Sequence, residues 1–276
     1  MIFQSPGAIA LQLGPLSIHW YGVLIGAGIL LAYWYVSAEL KRRKIPQEPV
    51  DDMVLWLIIS GVIGARLYFV LFNLPYFSAY PLDVFKVWQG GLAIHGAIIG
   101  GAIAYFIYVF KHKLNWKLYA DVIMPGVLLA QALGRFGNFF NSEAFGGPTN
   151  LPWKLFIPLA NRPTGFENIE FYHPTFLYES LWNLVGFGLL ILLARIIGNR
   201  EQGTGNMEKF SGRIFYSYLI WYSVGRFFIE GMRLDSLYLG QFRAAQVVSV
   251  ILLTFGIIGL IFLYKKATIR STKNIK

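Results

Sequence analysis

The sequence contains no cysteine, and charged residues make up only 14% of its 276 positions. The missing cysteine excludes disulfides, thiolate metal sites and a thiol nucleophile supplied by the protein itself. The shortage of charge, together with 56% hydrophobic residues, excludes an ordinary soluble domain. We therefore expect an integral membrane protein. If a thiol takes part in the chemistry, a substrate has to bring it.

Histidines and clustered carboxylates are also scarce. The four histidines are His19, His95, His112 and His173, and they form no His-x-x-x-His pair. No Asp-x-Asp motif or carboxylate cluster with the spacing of metal ligands occurs either. We therefore expect no metal and no cofactor.

Apolar runs near the length that a bilayer requires, about 20 residues, occur seven times. They cover approximately 17–38, 52–73, 90–110, 118–140, 174–197, 213–231 and 243–264. The sequence thus predicts an all-α integral membrane protein with seven transmembrane helices in a single transmembrane domain, residues 1–276. The turn-rich segment 142–172 is predicted to form a small cap between helices 4 and 5.

Lysine and arginine collect after the first, third, fifth and seventh apolar segments. By the positive-inside rule these segments are cytoplasmic, which places the N-terminus outside, the C-terminus in the cytoplasm and the cap on the extracytoplasmic side. No lysine or arginine precedes Lys41, so the first apolar segment lacks the basic start of a cleavable signal peptide. The net charge of +10 therefore needs no nucleic-acid partner.

A polar run interrupts the fourth apolar segment. Gln131, Arg135 and Asn138 fall at i, i+4 and i+7 and share one helix face, and Asn141 and Glu143 follow. An arginine inside a membrane costs roughly 2.5–3.5 kcal/mol, which is tolerated where the side chain lines a cavity or meets a partner. The run therefore indicates a binding site for an anion.

A second polar stripe follows the sixth segment. Tyr218, Tyr222, Arg226, Glu230 and Arg233 recur at spacings of four, four, four and three. An Arg226–Glu230 pair alone could be a structural ion pair. The two tyrosines, and the matching depth of Arg135 in another helix, favour a site instead.

Other unusual residues stand at the same depth, near the outer ends of their helices. They are Tyr21, Arg66, His95 and His173. Glu179, close to His173, is the natural counter-charge for an intramembrane arginine such as Arg66, Arg135 or Arg226. Paired arginines at headgroup depth suit a phosphate, because a planar guanidinium donates two parallel hydrogen bonds. The predicted ligand is the headgroup of an outer-leaflet phospholipid.

The third segment begins with a glycine-rich turn and holds His95 between small residues. Gly96 and Gly100 form a small-xxx-small face, which predicts close packing against another helix. An imidazole at this depth can accept a proton near neutral pH, although a lone histidine is more often only a hydrogen-bonding residue.

The run Gly134–Gly146 closely resembles the signature of the bacterial phosphatidylglycerol:prolipoprotein diacylglyceryl transferase family. Four further segments resemble the family in the same order along the chain, namely His19–Gly22, Gly90–Gly96, His173–Glu179 and Tyr222–Arg233.

The resemblance implies transfer of the diacylglyceryl group of phosphatidylglycerol to the lipobox cysteine in the signal peptide of a preprolipoprotein. The reaction would release glycerol phosphate at the bacterial inner (cytoplasmic) membrane, without metal. It implies phosphate binding by Arg135 and Arg226 and catalytic positions at His95 and Tyr222. The signature positions important for function would be Tyr21, Asn138, Glu143 and Gly146.

We add Asn141, His173, Glu179 and Glu230 to the candidate substrate-binding residues. His95 is the candidate base for the thiol, with Tyr222 or a phosphate oxygen of the substrate as alternatives. Two other functions compete with transfer to a thiol. The protein could be a phospholipid transporter or scramblase, in which the arginines guide headgroups, or a phospholipid acyltransferase.

Overall fold

The computed structural model describes residues 1–14, 16–204 and 211–273. Helices dominate this part of the chain. They are α1 (Trp20–Arg43), α2 (Glu48–Phe72), the short α3 (Leu74–Ala79), α4 (Ile94–Lys111), α5 (Trp116–Asn141), α6 (Thr175–Thr204), α7 (Arg213–Met232) and α8 (Ala244–Lys273). Each of the seven predicted apolar segments thus forms a helix.

Among the described residues, five helices are long and apolar enough to cross a membrane, namely α1, α2, α4, α6 and α8. This confirms a mostly helical, multi-pass membrane protein. The helices α5 and α7 are long enough but have a lower mean hydropathy, because they contain the polar and charged residues of the two stripes, such as Arg135 and Arg226. Their lower hydropathy is therefore a mark of the candidate site.

Helix ends differ from the predicted ones where local chemistry intervenes. The third predicted segment was expected to begin near residue 90, but α4 begins at Ile94. Gly90 and Gly91 have φ values of +90° and +71°, which a right-handed helix does not accept. Lys209 and Lys276, two of the lysines that follow the fifth and seventh apolar segments, lie outside the described residues.

The described chain forms two compact units. The first unit contains Met1–Glu39 and Lys117–Lys276, and the second contains Leu40–Trp116. The division follows the contacts between residues, and each unit is described by itself below.

In the first unit, α7 packs between α6 and α8 around a core that includes Leu128, Leu190 and Ile214. Trp182 of α6 and Trp221 of α7 stack with their ring centroids 4.3 Å apart. Each indole N–H donates to the backbone carbonyl of the other tryptophan, at 3.0 Å in both directions. The two helices are therefore joined by a reciprocal pair.

Short strands lie near the ends of the first unit's helices. They are β1 (Ile2–Gln4), β2 (Ile9–Leu13), β3 (Leu16–His19), β4 (Lys154–Phe156), β5 (Phe171–Tyr172), β6 (Tyr238–Leu239) and β7 (Phe242–Arg243). The order β1-β4-β5 forms one sheet, while β2–β3 and β6–β7 are hairpins. The cap predicted over 142–172 is thus an ordered segment with two short strands, β4 and β5, over a small apolar core.

The second unit is built on the close crossing of α2 and α4. A Cβ atom added to Gly96 would lie 2.1 Å from the Gly64 carbonyl oxygen, and one added to Gly100 would lie 2.3 Å from the Ser60 oxygen. These distances are too short for any side chain. The predicted packing role of Gly96 and Gly100 is confirmed.

Candidate functional site

Glu179, near the start of α6, is the centre of an ion-pair cluster in the first unit. Its carboxylate accepts Arg135 Nε at 2.9 Å and Arg226 Nη1 at 3.1 Å, and Arg233 Nη1 lies 3.9 Å away. The Glu179 side chain is only 7% exposed, so it is a buried charge that needs such partners. The predicted role of Glu179 as a counter-charge is confirmed for Arg135 and Arg226.

Arg226 is held between two carboxylates. Its Nη1 contacts both carboxylate oxygens of Glu179 at 3.1 Å, and its Nη2 lies 2.6 Å from Oε2 of Glu230. The Arg226–Glu230 pair on α7 is therefore present, but it is part of the larger cluster. The guanidinium plane is fixed from two sides.

Arg135 is held on one side only. Its Nε forms the ion pair with Glu179, and in the described part of the chain no hydrogen bond or ion pair uses Nη1 or Nη2. The side chain is 22% exposed, more than those of Arg226 and Arg233. A guanidinium has five N–H donors, so Arg135 keeps four for a further anion.

A narrow cavity of about 10 Å³ lies beside the cluster, between α6 and α7. Its lining residues are Glu179, Trp182, Asn183, Tyr222, Gly225, Arg226 and Ile229. Tyr222 thus lies at the cluster, and its ring stacks on that of Tyr218 with centroids 6.0 Å apart. Gln131, at the base of the polar face of α5, donates to the Tyr218 hydroxyl at 3.1 Å. The two polar stripes predicted on α5 and α7 therefore face each other.

The end of α5 forms a hydrogen-bonded turn around Glu143. Its Oε1 accepts the amide N–H groups of Asn138 at 2.9 Å and of Asn141 at 3.3 Å. The flanking Ser142 and Ala144 have positive φ values of 53° and 57°, so the chain reverses sharply here. Glu143 fixes the two asparagines in this turn.

Tyr21 packs flat against α5 from the start of α1. A Cβ atom on Gly137 would lie 2.4 Å from Cδ2 of the tyrosine ring. Its hydroxyl hydrogen-bonds with Asn138 and interacts electrostatically with Glu143 and Arg135. Tyr21 therefore connects the Glu143 turn with the Arg135 side of the cluster.

Gly146 and His173 form a backbone pair where the cap meets α6. The Gly146 N–H donates to the His173 carbonyl at 3.0 Å, and a Cβ atom on Gly146 would lie 2.8 Å from the His173 Cβ. The His173 Nδ1 lies 3.2 Å from the hydroxyl of Tyr178, which also accepts the indole N–H of Trp153 at 3.1 Å. The imidazole of His173 thus contacts Tyr178 on the first turn of α6, and among the described residues it makes no hydrogen bond to an arginine.

His95 and Arg66 belong to the second unit. His95 stands on the first turn of α4, with its ring centroid 5.8 Å from that of Tyr68. Arg66 is buried and donates to backbone carbonyls of residues 83–91, which differs from the predicted option of a pair with Glu179. Glu179 receives Arg135, Arg226 and Arg233 instead.

Sequence reasoning did not assign Arg233 to the site, although it ends the stripe on α7. The Arg233 guanidinium also binds Asp235, with both contacts at 2.9 Å. Arg243, just before α8, donates to the backbone carbonyl of Glu230. The spacing of the stripe could have indicated Arg233, whereas nothing in the sequence indicates the partner of Arg243.

Within the described residues no three His, Asp or Glu side chains converge as metal ligands. The carboxylates that do cluster are paired with arginines, which occupy the positions that a cation would need. The cluster therefore offers guanidinium donors that suit an anion, near the C-terminal ends of α5 and α7 and the start of α6.

The protein is therefore a multi-pass membrane protein with an arginine–carboxylate cluster. In this cluster Arg135 keeps guanidinium donors that no described residue uses. A sequence profile described as prolipoprotein diacylglyceryl transferase matches residues 8–262. The chain belongs to this family.

Similar proteins named phosphatidylglycerol--prolipoprotein diacylglyceryl transferase occur in cyanobacteria. The protein of Synechocystis sp. is 48% identical over 95% of this chain and 91% of its own length. The Synechococcus elongatus protein is 46% identical over 95% and 89%, and the Gloeobacter violaceus protein is 45% identical over 96% of both chains. The matches therefore span nearly the whole chain.

Proposed function

We propose that the protein transfers the diacylglyceryl group of phosphatidylglycerol to the cysteine thiol of a prolipoprotein signal peptide. The product is a thioether, and glycerol phosphate is released. Membership of the family and the names of its relatives support this activity. Within the structure, the single observation that carries it is Arg135, whose free Nη1 and Nη2 lie beside a fixed arginine–carboxylate cluster.

The reaction breaks the bond between the glyceryl carbon and the phosphate oxygen. The thiolate sulfur forms a bond to that carbon, and the oxygen leaves with the phosphate as glycerol phosphate. Negative charge therefore grows on the phosphate, and donors aimed at it lower the barrier. Arg135 supplies two parallel N–H groups. Arg226 adds positive charge, and its Nε makes no hydrogen bond among the described residues.

The six charged groups of the cluster balance one another. Arg135, Arg226 and Arg233 stand against Glu179, Glu230 and Asp235. Attraction of the phosphate thus depends on directed, unused N–H donors more than on net charge. The carboxylates keep the guanidinium planes in place before the lipid arrives, which removes reorganisation from the reaction.

The thiol proton needs an acceptor. We assign this role to His95, the only histidine of the sequence within a glycine-rich helix start. Tyr222, which lines the cavity at Arg226, and a phosphate oxygen of the lipid are the alternatives. Tyr21, Asn138, Asn141, Glu143, Gly146, His173 and Glu230 then shape the substrate-binding region.

The proposed topology places all seven long helices across the bacterial inner membrane, with the N-terminus outside and the C-terminus in the cytoplasm. Two features support α5 and α7 as spans despite their charges. The charges are paired inside the protein, and Asp121, fully buried in α5, accepts the N–H groups of Gly212 and Phe215 at 2.7 Å. In this topology the segment 142–172 caps the outer side of one transmembrane domain.

A direct assay tests the function. Purified protein in phosphatidylglycerol proteoliposomes is incubated with a peptide that carries a lipobox cysteine. We expect a diacylglyceryl mass increment on the cysteine and an equal amount of free glycerol phosphate. Lysophospholipid in their place would indicate an acyltransferase, and headgroup movement without any covalent product would indicate a transporter or scramblase.

A peptide with serine in place of the lipobox cysteine is the matched control. It keeps the sequence and the membrane affinity of the substrate and removes the thiol. Modification of both peptides to the same extent would contradict transfer to sulfur.

A further inference from the structure

Arg66 is a buried arginine of α2 that contacts no carboxylate side chain among the described residues. Its Nε donates to the Val84 carbonyl at 2.9 Å, and its Nη1 donates to the carbonyls of Gly90 and Gly91 at 2.8 and 3.0 Å. Its Nη2 donates to the Asp83 carbonyl. One guanidinium therefore gathers four carbonyl oxygens from the two ends of the segment 83–91.

The four contacts fix the route by which the chain enters α4. Gly90 and Gly91 both have positive φ, so their carbonyls turn towards α2 in a conformation that glycine adopts without strain. A Cβ atom on Gly91 would lie 2.6 Å from Nη1 of Arg66, which leaves room only for glycine beside the guanidinium. The end of the turn is therefore shaped around this side chain.

The residues next to Arg66 hold the first turn of α4. The Ala93 N–H donates to the Ala65 carbonyl at 3.1 Å. The Gly96 backbone rests on Gly64, and the Tyr68 ring lies 5.8 Å from the His95 ring. The short stretch 64–68 of α2 thus contacts the chain before, at and after His95.

We propose that Arg66 is a positioning residue for His95. By drawing the carbonyls of residues 83, 84, 90 and 91 to one point, the guanidinium sets where α4 begins and where the imidazole stands. This inference rests on the proposed function, because it assigns His95 a role in transfer. Lysine cannot replace the arginine, since one ammonium cannot reach acceptors on both ends of the segment.

The test compares Arg66→Lys with Asp83→Asn in the proteoliposome assay. Arg66 binds the Asp83 carbonyl and not its carboxylate, which accepts the Tyr76 hydroxyl and Lys86 instead. Asp83→Asn therefore keeps the contact and changes the local charge. We expect Arg66→Lys to lower kcat roughly 10- to 100-fold through misplacement of His95, with an almost unchanged KM for phosphatidylglycerol. Asp83→Asn is expected to keep both constants.

A second measurement follows the position itself. The chain has no cysteine, so Leu55→Cys and Leu92→Cys create the only two sites for spin labels. Both leucines are exposed, one on α2 and one just before α4. Pulsed electron paramagnetic resonance measures the distance between the two labels. We expect one narrow distance distribution in the double-cysteine protein and in the same protein with Asp83→Asn, and a broad one with Arg66→Lys.

Three outcomes would overturn the inference. Normal kcat in Arg66→Lys would show that the contacts of Arg66 with the four carbonyls do not serve transfer. A raised KM with normal kcat would make Arg66 a lipid-binding residue, and a loss of kcat with an unchanged distance distribution would mean that it acts directly. Absence of transfer by the unsubstituted protein would instead contradict the proposed function. The distance measurement would still test whether Arg66 sets the start of α4.

Discussion

Two regions of the molecule use an arginine in opposite ways. In the second unit, Arg66 gives its donors to four backbone carbonyls and holds the chain together. In the first unit, Arg135 forms one ion pair through Nε and leaves both terminal nitrogens unused. An arginine whose donors are consumed by the backbone is structural. An arginine anchored through Nε alone keeps two terminal nitrogens as donors, and we propose that those of Arg135 bind the phosphate.

Glu179 is the position where we expect the largest effect, because three arginines lie within 4 Å of its carboxylate. Glu179→Gln leaves their charges without the buried carboxylate, and we expect it to lower the free energy of unfolding by about 3–5 kcal/mol. Asp235→Asn is the matched control, since Asp235 also binds Arg233 but is 48% exposed, and it should cost less than about 1 kcal/mol. Thermal unfolding in detergent measures both. Equal losses would show that burial does not distinguish the two acids.

Arg226→Lys tests whether the fork geometry matters in the first unit. Lysine keeps the charge but cannot contact Glu179 and Glu230 with two nitrogens as Arg226 does. We expect transfer to fall roughly 100- to 1,000-fold in the peptide assay. Full transferase activity of this variant would contradict planar recognition of the phosphate.

His95→Gln separates proton transfer from lipid binding. Glutamine keeps a hydrogen-bonding group but cannot take up the thiol proton, so we expect single-turnover transfer to slow roughly 100-fold. Phosphatidylglycerol affinity, measured by titration of the lipid, should hardly change. If the single-turnover rate is unchanged, the base is Tyr222 or the substrate phosphate.

The smallest expected effect concerns two glycines of α5. Gly137→Ala would press on the Tyr21 ring, and overpacking of this kind costs about 1–3 kcal/mol. A Cβ atom on Gly134 meets nothing within 4 Å, so Gly134→Ala should be neutral, or gain up to about 1 kcal/mol from helix propensity. Comparable unfolding temperatures for the two variants would contradict close packing of the Tyr21 ring against Gly137.

The sequence predicted the helices well because apolar length is a strong local signal. It also predicted Arg135 and Arg226 as partners of Glu179, because a buried charge needs an opposite charge. The third option, Arg66, was wrong, and Arg233 was not among the predicted partners. Arg135 and Arg226 were predicted from the polar stripes on their helices and from their matching depth, and the structure joins them through one carboxylate.

Other features have no local signal. The partners of Arg66 are carbonyl oxygens, which every residue carries, so the sequence could not indicate which four it binds. The pairing of β1 with β4 joins residues about 150 positions apart through a strand of three residues. Such contacts are set by tertiary packing, and only the folded chain shows them.

The reciprocal tryptophan pair of α6 and α7 restricts how the protein can open. Trp182 and Trp221 each bind the other's backbone, and a Cβ atom on Gly225 or Gly186 would lie 2.2 Å from the opposing indole nitrogen. Sliding or parting these helices would break both hydrogen bonds at once. We therefore expect α6 and α7 to move together, and a lipid that enters from the bilayer to pass along another edge of this pair.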